Sequence, residues 1–173
     1  MKNLDLRNYI LEVNDFPKKG IRFKDITPLL KDSEAFKTMV DLMVDFVKKS
    51  GATIIVAPEA RGFLLASAVA YASNCGLVII RKPDKLPREV YEESYELEYG
   101  TNRLQVHKND IKSSDKVLIL DDVLATGGTI QAIINLVKKS NATIVGLLFL
   151  ADLKFLHDDN LFNEYNKHAL IEY

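Results

Sequence analysis

The sequence predicts one α/β domain, a parallel sheet with helices on both faces. Three observations carry this reading. Short runs of branched apolar residues at 53–57, 77–80, 117–120 and 143–150 read as buried strands, because a parallel strand covered on both faces is apolar throughout instead of alternating. Helical periodicity fills the segments at 32–49, 61–74 and from 130 onward. Strands and helices alternate along the chain, the order that builds parallel sheets.

In chain order, Leu4, Leu6, Ile10, Leu11 and Val13 predict a short amphipathic helix over 4–13. Residues 14–30, with Pro17, Gly20 and Pro28, read as a loop. Asp32 or Ser33 caps a strong helix reaching about Lys49, with Phe36, Met39, Val40, Met43 and Val47 on its apolar face. The strand at 53–57 leads into a helix of small residues opened by Arg61 and Gly62, and 77–80 is the next strand. A polar stretch follows over 82–102, with little helical period and several aromatics, and then 103–107 alternates like a half-exposed strand. A loop of that length inside a small domain is usually functional or mobile. The strand 117–120 feeds a glycine turn and a helix carrying Ile130, Ile133, Ile134 and Val137, and 143–150 is a further buried strand. No linker, repeat or low-complexity tract divides residues 1–173.

Composition narrows the function. The chain of 173 residues is long enough to bury a core without disulfides or a structural metal. A net charge of −1 makes no electrostatic case for nucleic acid. Cys75 is the only cysteine, which excludes an intrachain disulfide and a cysteine-rich metal site. No apolar run approaches a membrane span, and the N-terminal Met1-Lys2-Asn3-Leu4-Asp5 lacks the apolar stretch of a secretory signal. A cytoplasmic protein with no membrane or nucleic-acid partner is the expectation.

The chemistry concentrates in Val117-Leu118-Ile119-Leu120-Asp121-Asp122-Val123-Leu124-Ala125-Thr126-Gly127-Gly128-Thr129. A strand, a glycine turn and a helix start make an anion site, because unpaired backbone N–H groups converge there and the helix dipole favours negative charge. Gly127 and Gly128 admit close approach, and Thr126 and Thr129 add hydroxyl donors. Two carboxylates beside an anion site conflict unless the ligand carries a phosphate at one end and a sugar diol nearby. Asp121 and Asp122 then accept from the hydroxyls. The spacing fits neither a P-loop, since no Lys follows the glycines, nor a dinucleotide fingerprint.

Other segments after strands carry cations. Arg61, in Pro58-Glu59-Ala60-Arg61-Gly62-Phe63, sits where a guanidinium can fork onto phosphate oxygens, or can simply pair with Glu59. Arg81, Lys82 and Lys85 follow the next strand. Ligands of open parallel sheets bind beyond the carboxyl ends of the strands. Residues 59–62, 81–85 and 121–129 are therefore expected on one rim.

The string 117–129 resembles the phosphoribosyl-pyrophosphate (PRPP) signature of type I phosphoribosyltransferases. Two further segments resemble the adenine phosphoribosyltransferases within that family. Ser94-Tyr95-Glu96-Leu97-Glu98-Tyr99-Gly100 is similar to their Ser-Tyr-x-Leu-Glu-Tyr-Gly segment, and Phe16-Pro17-Lys18-Lys19-Gly20-Ile21-Arg22-Phe23-Lys24-Asp25-Ile26-Thr27-Pro28 is similar to their purine-side loop. The resemblance runs from the N-terminal loop to Leu156, and the segment 157–173 lies outside it.

The resemblance implies a type I phosphoribosyltransferase fold with a small N-terminal hood (purine-side loop about 14–30) and a flexible lid (about 83–102). The reaction it implies is adenine + PRPP ⇌ AMP + pyrophosphate with Mg²⁺, in a homodimer. It implies that Ala125, Thr126, Gly127, Gly128 and Thr129 hold the 5′-phosphate and that Asp121 and Asp122 hold the ribose hydroxyls. Arg61, Arg81, Lys82 and Lys85 grip pyrophosphate, and Mg²⁺ is carried by PRPP and water without a direct protein ligand. On the purine side, backbone groups around Arg22 and Phe23 read the base edge, Lys24 stands where the family usually has an arginine over the base, and Leu156 lies against the other face. Tyr95 and Tyr99 belong to the lid, and Glu98 is the acid or base at the purine ring. Two rivals share the sugar-side motif: a transferase for hypoxanthine, guanine or xanthine, and a PRPP-sensing regulator.

Overall fold

Residues 4–96 and 101–173 are described by a computed structural model. The chain opens with a 3-10 turn at Leu6–Tyr9, capped by the Asp5 carboxylate. Strands β1 (Leu11–Asn14) and β2 (Arg22–Asp25) then pair antiparallel as a small hairpin, followed by α1 (Thr27–Lys31). The helix expected over 4–13 and the loop expected over 14–30 are thus replaced by a turn, two paired strands and a short helix. All four residues of β1 are exposed, so no buried alternation marks it as a strand. Its structure comes from pairing with β2, whose residues lie 8 to 14 positions from their partners in the chain.

Helix α2 (Ser33–Ser50) starts where expected, with the Asp32 carboxylate accepting from the Glu34 and Ala35 N–H groups. Gly51 closes it in the left-handed conformation. Then come β3 (Ile54–Pro58), α3 (Arg61–Ser73) and β4 (Gly76–Ile80). The stretch read as a polar loop contains β5 (Val90–Glu96), which pairs antiparallel with β6 (Thr101–His107). Tyr91 and Tyr95 of β5 pack on the core while Ser94 is exposed, a period-two pattern masked in the sequence by surrounding acids. β7 (Lys116–Leu124), α4 (Gly128–Lys138) and β8 (Thr143–Asp152) follow. β9 (Lys167–Glu172) lies in the C-terminal segment, from which the sequence yielded no element.

The central sheet is parallel with strand order β4-β3-β7-β8-β9. Alternate residues of β7 feed two cores. Leu118 and Leu120 join Met39, Met43, Leu65 and Val69 of α2 and α3 on one face. Val117 and Ile119 join Ile130, Ile133 and Val137 of α4 on the other. The β5–β6 hairpin packs on that second face beside α4, held there by Asn135 and Lys139 on Glu93. The chain leaves β3 toward β4, then resumes on the opposite side of β3 with β7. The order therefore switches between β3 and β7, and the crevice beyond their carboxyl ends is where such a sheet holds a ligand.

Candidate active site

A cavity of about 310 Å³ opens at that switch. It is lined by Pro58, Glu59, Ala60 and Arg61 after β3, Lys82 after β4, and Asp121, Asp122, Val123 and Thr129 from β7 and α4. Tyr95, Asn102 and Leu104 of the hairpin close one side. The three segments expected on one rim therefore meet. Asn102 and Leu104 were not anticipated. Asn102 reaches the cavity because it pairs with Tyr95 across the hairpin, a register that no local pattern encodes.

Two helix ends frame this crevice without side-chain caps. α4 begins at Gly127, which has φ of +88° and no capping side chain, and α3 begins at Ala60, also uncapped. Their first N–H groups have no intrahelical acceptor, and each end carries a partial positive charge. α2, remote from the crevice, has its first N–H groups satisfied by Asp32. The contrast marks the two uncapped ends as donors for anions.

The carboxylates sit at the end of β7. Asp122 is 4% exposed, and its Oδ2 lies 2.8 Å from Arg61 Nε yet accepts no aligned hydrogen bond among the described residues. Burial pushes the Asp122 carboxyl above its usual range, and the Arg61 charge holds part of that rise back. Asp121 Oδ1 accepts the Asp122 N–H at 2.8 Å. The same oxygen stands 2.9 Å from where a Cβ on Gly62 would project, so only glycine at that position lets α3 start so close to the acid. Burial, and then the neighbouring Asp122 charge, push the Asp121 carboxyl well above its usual range.

A raised carboxyl favours the protonated fold, so ionised Asp121 costs stability as pH rises above its ordinary value of 3.8. Asp121→Asn is accordingly expected to stabilise the ligand-free chain at neutral pH by about 1 kcal/mol or more, roughly 2–4 °C in Tm. The gain should fade on acidification as the wild-type carboxyl takes up its proton. Thermal melts at pH 7 and near the ordinary carboxyl range check this, and an equal gain at both would remove the charge argument.

Arg61 is the hub of the site. Besides Asp122 it lies over the Phe23 ring, 4.8 Å from its centroid, and donates from Nη1 to the Lys24 carbonyl at 3.5 Å. It thereby joins β2 to β7. The surface pairing of Arg61 with Glu59 does not form. Glu59 Oε2 instead accepts Arg81 Nε at 2.6 Å, and the Arg81 backbone bridges to Gln105 of β6. Arg81 thus braces the turn after β3 against the hairpin, while Lys82 faces the cavity. Lys85 is exposed and not among the lining residues.

On the side of β2, Lys24 is 8% exposed and its ammonium is committed to Glu12 Oε2 at 2.6 Å and to the face of Tyr173, 3.8 Å from the centroid. It does not line the cavity. Arg22 lies over the Phe155 ring at 5.3 Å, so β2 is in contact with the 3-10 turn Lys154–Leu156. Leu156 ends that turn at 43% exposure. Ala125 and Thr126 form the turn between β7 and α4. Glu98 and Tyr99 lie outside the described residues.

Comparison with known proteins agrees with this geometry. A family model described as the phosphoribosyl transferase domain matches residues 30–160. The adenine phosphoribosyltransferase of Mycoplasma capricolum is 61% identical over 170 residues, which covers 98% of this chain and 100% of the relative. The solved structure of adenine phosphoribosyltransferase from Thermoanaerobacter pseudethanolicus superposes with a TM-score of 0.93 at 43% identity, covering 97% of this chain and 98% of that one. That of the Giardia lamblia enzyme complexed with 9-deazaadenine superposes with a TM-score of 0.92 at 31% identity, covering 98% and 96%.

Proposed function

The chain belongs to the adenine phosphoribosyltransferase family, and from that premise we propose how its site works. The enzyme transfers the 5-phosphoribosyl group of PRPP to adenine, giving AMP and pyrophosphate, a purine-salvage reaction. The observation that carries the assignment of roles is Asp122 Oδ2, a buried acceptor without an aligned donor, facing a cavity framed by two uncapped helix ends. Asp121 and Asp122 accept from the ribose hydroxyls. The start of α4, with Ala125–Thr129, holds the 5′-phosphate. The start of α3, Arg61 and Lys82 hold the pyrophosphate.

With the sugar clamped between those ends, the bond from C1′ to the pyrophosphate oxygen breaks as the purine nitrogen bonds to C1′. The electron pair leaves with pyrophosphate through an oxocarbenium-like state. Arg61, Lys82 and the α3 dipole stabilise the departing charge, the kind of interaction that contributes most when it is already in place. The nitrogen's proton passes to Glu98, a role carried by the family resemblance. Glu98→Gln is expected to lower kcat by about 10²-fold while the Kd for PRPP changes less than threefold. Wild-type turnover in that variant would take Glu98 out of the mechanism.

A Mg²⁺ ion belongs to the proposal as part of the PRPP complex. Among the described residues no group of three or more His, Cys, Asp or Glu is placed to hold an ion, while Asp122 Oδ2 can accept from a water of one. That donor set fits an ion borne mainly by phosphates. Such an ion neutralises phosphate charge when bound. A homodimer and a cytoplasmic location complete the reading. Leu64 and Tyr71, 52% and 91% exposed on one face of α3, support a covered apolar surface there, which sedimentation would test. Among the described residues no helix is long and apolar enough to cross a membrane.

Adenine, hypoxanthine, guanine and xanthine assayed with PRPP, with and without Mg²⁺, test the whole reading. Nucleotide formation from adenine alone, and only with the ion, is expected. Preference for an oxopurine would overturn the base assignment.

A further inference from the structure

We propose that Asp152 and His157 form a pin that positions the purine-side turn, and so tunes affinity for the base without touching it. The inference rests on the reading above, in which Leu156 faces the purine. Asp152 ends β8, and His157 follows the 3-10 turn Lys154–Leu156. His157 Nε2 lies 2.7 Å from Asp152 Oδ1, and both side chains are 3% exposed. His157 Nδ1 lies 2.9 Å from the Asp158 carbonyl. The imidazole thus spans from the carboxylate that ends β8 to the backbone just beyond the turn. The result is a buried polar contact closing a loop of six residues.

The turn inside that loop touches β2 through Arg22 over the Phe155 ring and is otherwise held at its base. Phe155 is 53% exposed and Leu156 43%, so neither is enclosed by the core. One backbone bond, Leu156 N–H to the Leu153 carbonyl at 2.9 Å, defines the turn itself. Its base is fixed from β9, by Lys154 N–H on the Tyr173 carbonyl and the Lys154–Glu172 ion pair. The distal end, where Leu156 sits, is fixed by His157. The pin also reaches the sugar side of the site. Asp152 pairs in register with Leu124, and the Leu153 N–H bonds to the Leu124 carbonyl at 2.9 Å, one residue before the phosphate turn. Asp152 thus sets the distance from the purine-side turn to the phosphate end, and His157 sets the orientation of the turn. A ligand spanning both ends senses an error in either.

The expected signature is a split between the two substrates. His157→Ala should raise the KM for adenine about tenfold and leave the KM for PRPP and kcat within about twofold. It should weaken AMP binding by a similar factor and leave ribose 5-phosphate binding unchanged, because only AMP reaches the turn. His157→Gln, which keeps one donor toward Asp152, should recover part of the loss. If His157→Ala fails to fold, His157→Phe, which keeps the ring and removes both nitrogens, carries the same expectations. Equal losses for AMP and ribose 5-phosphate, or an unchanged KM for adenine, would overturn the pin. A wild-type chain that forms no AMP overturns the function together with the pin. A wild type that forms it, with variants whose two KM values move together, overturns the pin alone.

Discussion

Arg61→Ala is expected to lower kcat/KM by about 10²–10³, mostly in kcat, in both the forward reaction and pyrophosphorolysis. The guanidinium is placed by three independent contacts: Asp122 at 2.8 Å, the Phe23 ring at 4.8 Å and the Lys24 carbonyl at 3.5 Å. Its orientation therefore exists before substrate arrives, and no reorganisation is needed as pyrophosphate departs. Arg61→Lys should restore little, since an ammonium neither forks onto two phosphate oxygens nor stacks on Phe23. Truncation also leaves Asp122 buried without its counter-charge. With Arg61 itself 39% exposed, solvent screening brings the expected stability cost below that of breaking a fully buried pair, to about 1–2 kcal/mol. The sign with pH follows from the raised Asp122 carboxyl. Arg61 favours the ionised form, so its loss matters at neutral pH and less in acid, where Asp122 is protonated. Stopped kinetics in both directions and melts at two pH values check these outcomes. A kcat within threefold of wild type would remove Arg61 from the leaving-group chemistry.

Gly127→Ala should raise the KM for PRPP by about 10²-fold, because a shift of the phosphate turn by one ångström misplaces every N–H it presents. Gly127 has φ of +88°, a conformation that an L side chain strains at about 1–2 kcal/mol. An added Cβ would also stand 2.7 Å from Leu161 Cδ2 and 3.3 Å from Phe162 Cε2. Leu161 can turn aside. Phe162 is 4% exposed and itself at φ of 62°, so it has no room to yield. The turn must move instead, carrying the start of α4 with it. Isothermal calorimetry with PRPP and a thermal melt test this, and undiminished affinity would show that the turn does not clasp the 5′-phosphate.

Much of this molecule was legible before it was folded. Val117 to Leu120 are apolar on both faces because β7 lies mid-sheet under α3 and α4, and burial on both sides is a property that a single segment records. Asp32 before a helical period marked the cap of α2 for the same local reason. Asp121, Asp122, Arg61, Lys82 and Thr129 share one cavity because strand ends in a parallel sheet point one way, and that consequence follows from alternation alone. The misses have a common cause. β1, β5 and β9 lie at edges or in hairpins, where exposure erases the hydrophobic period and only a distant partner stabilises the strand.

Sequence alone, then, determined four of the five sheet strands, the rim and the kinds of group on it. It left open which charge meets which. Glu59 could have taken Arg61 and took Arg81; Arg61 went to Asp122; Lys24 turned to Glu12 and Tyr173; Asp152 found His157. Periodicity reports burial within one segment, whereas ion-pair partners depend on strand order, register and the few ångströms separating ends that are remote in the chain. Those distances exist only once the sheet has closed.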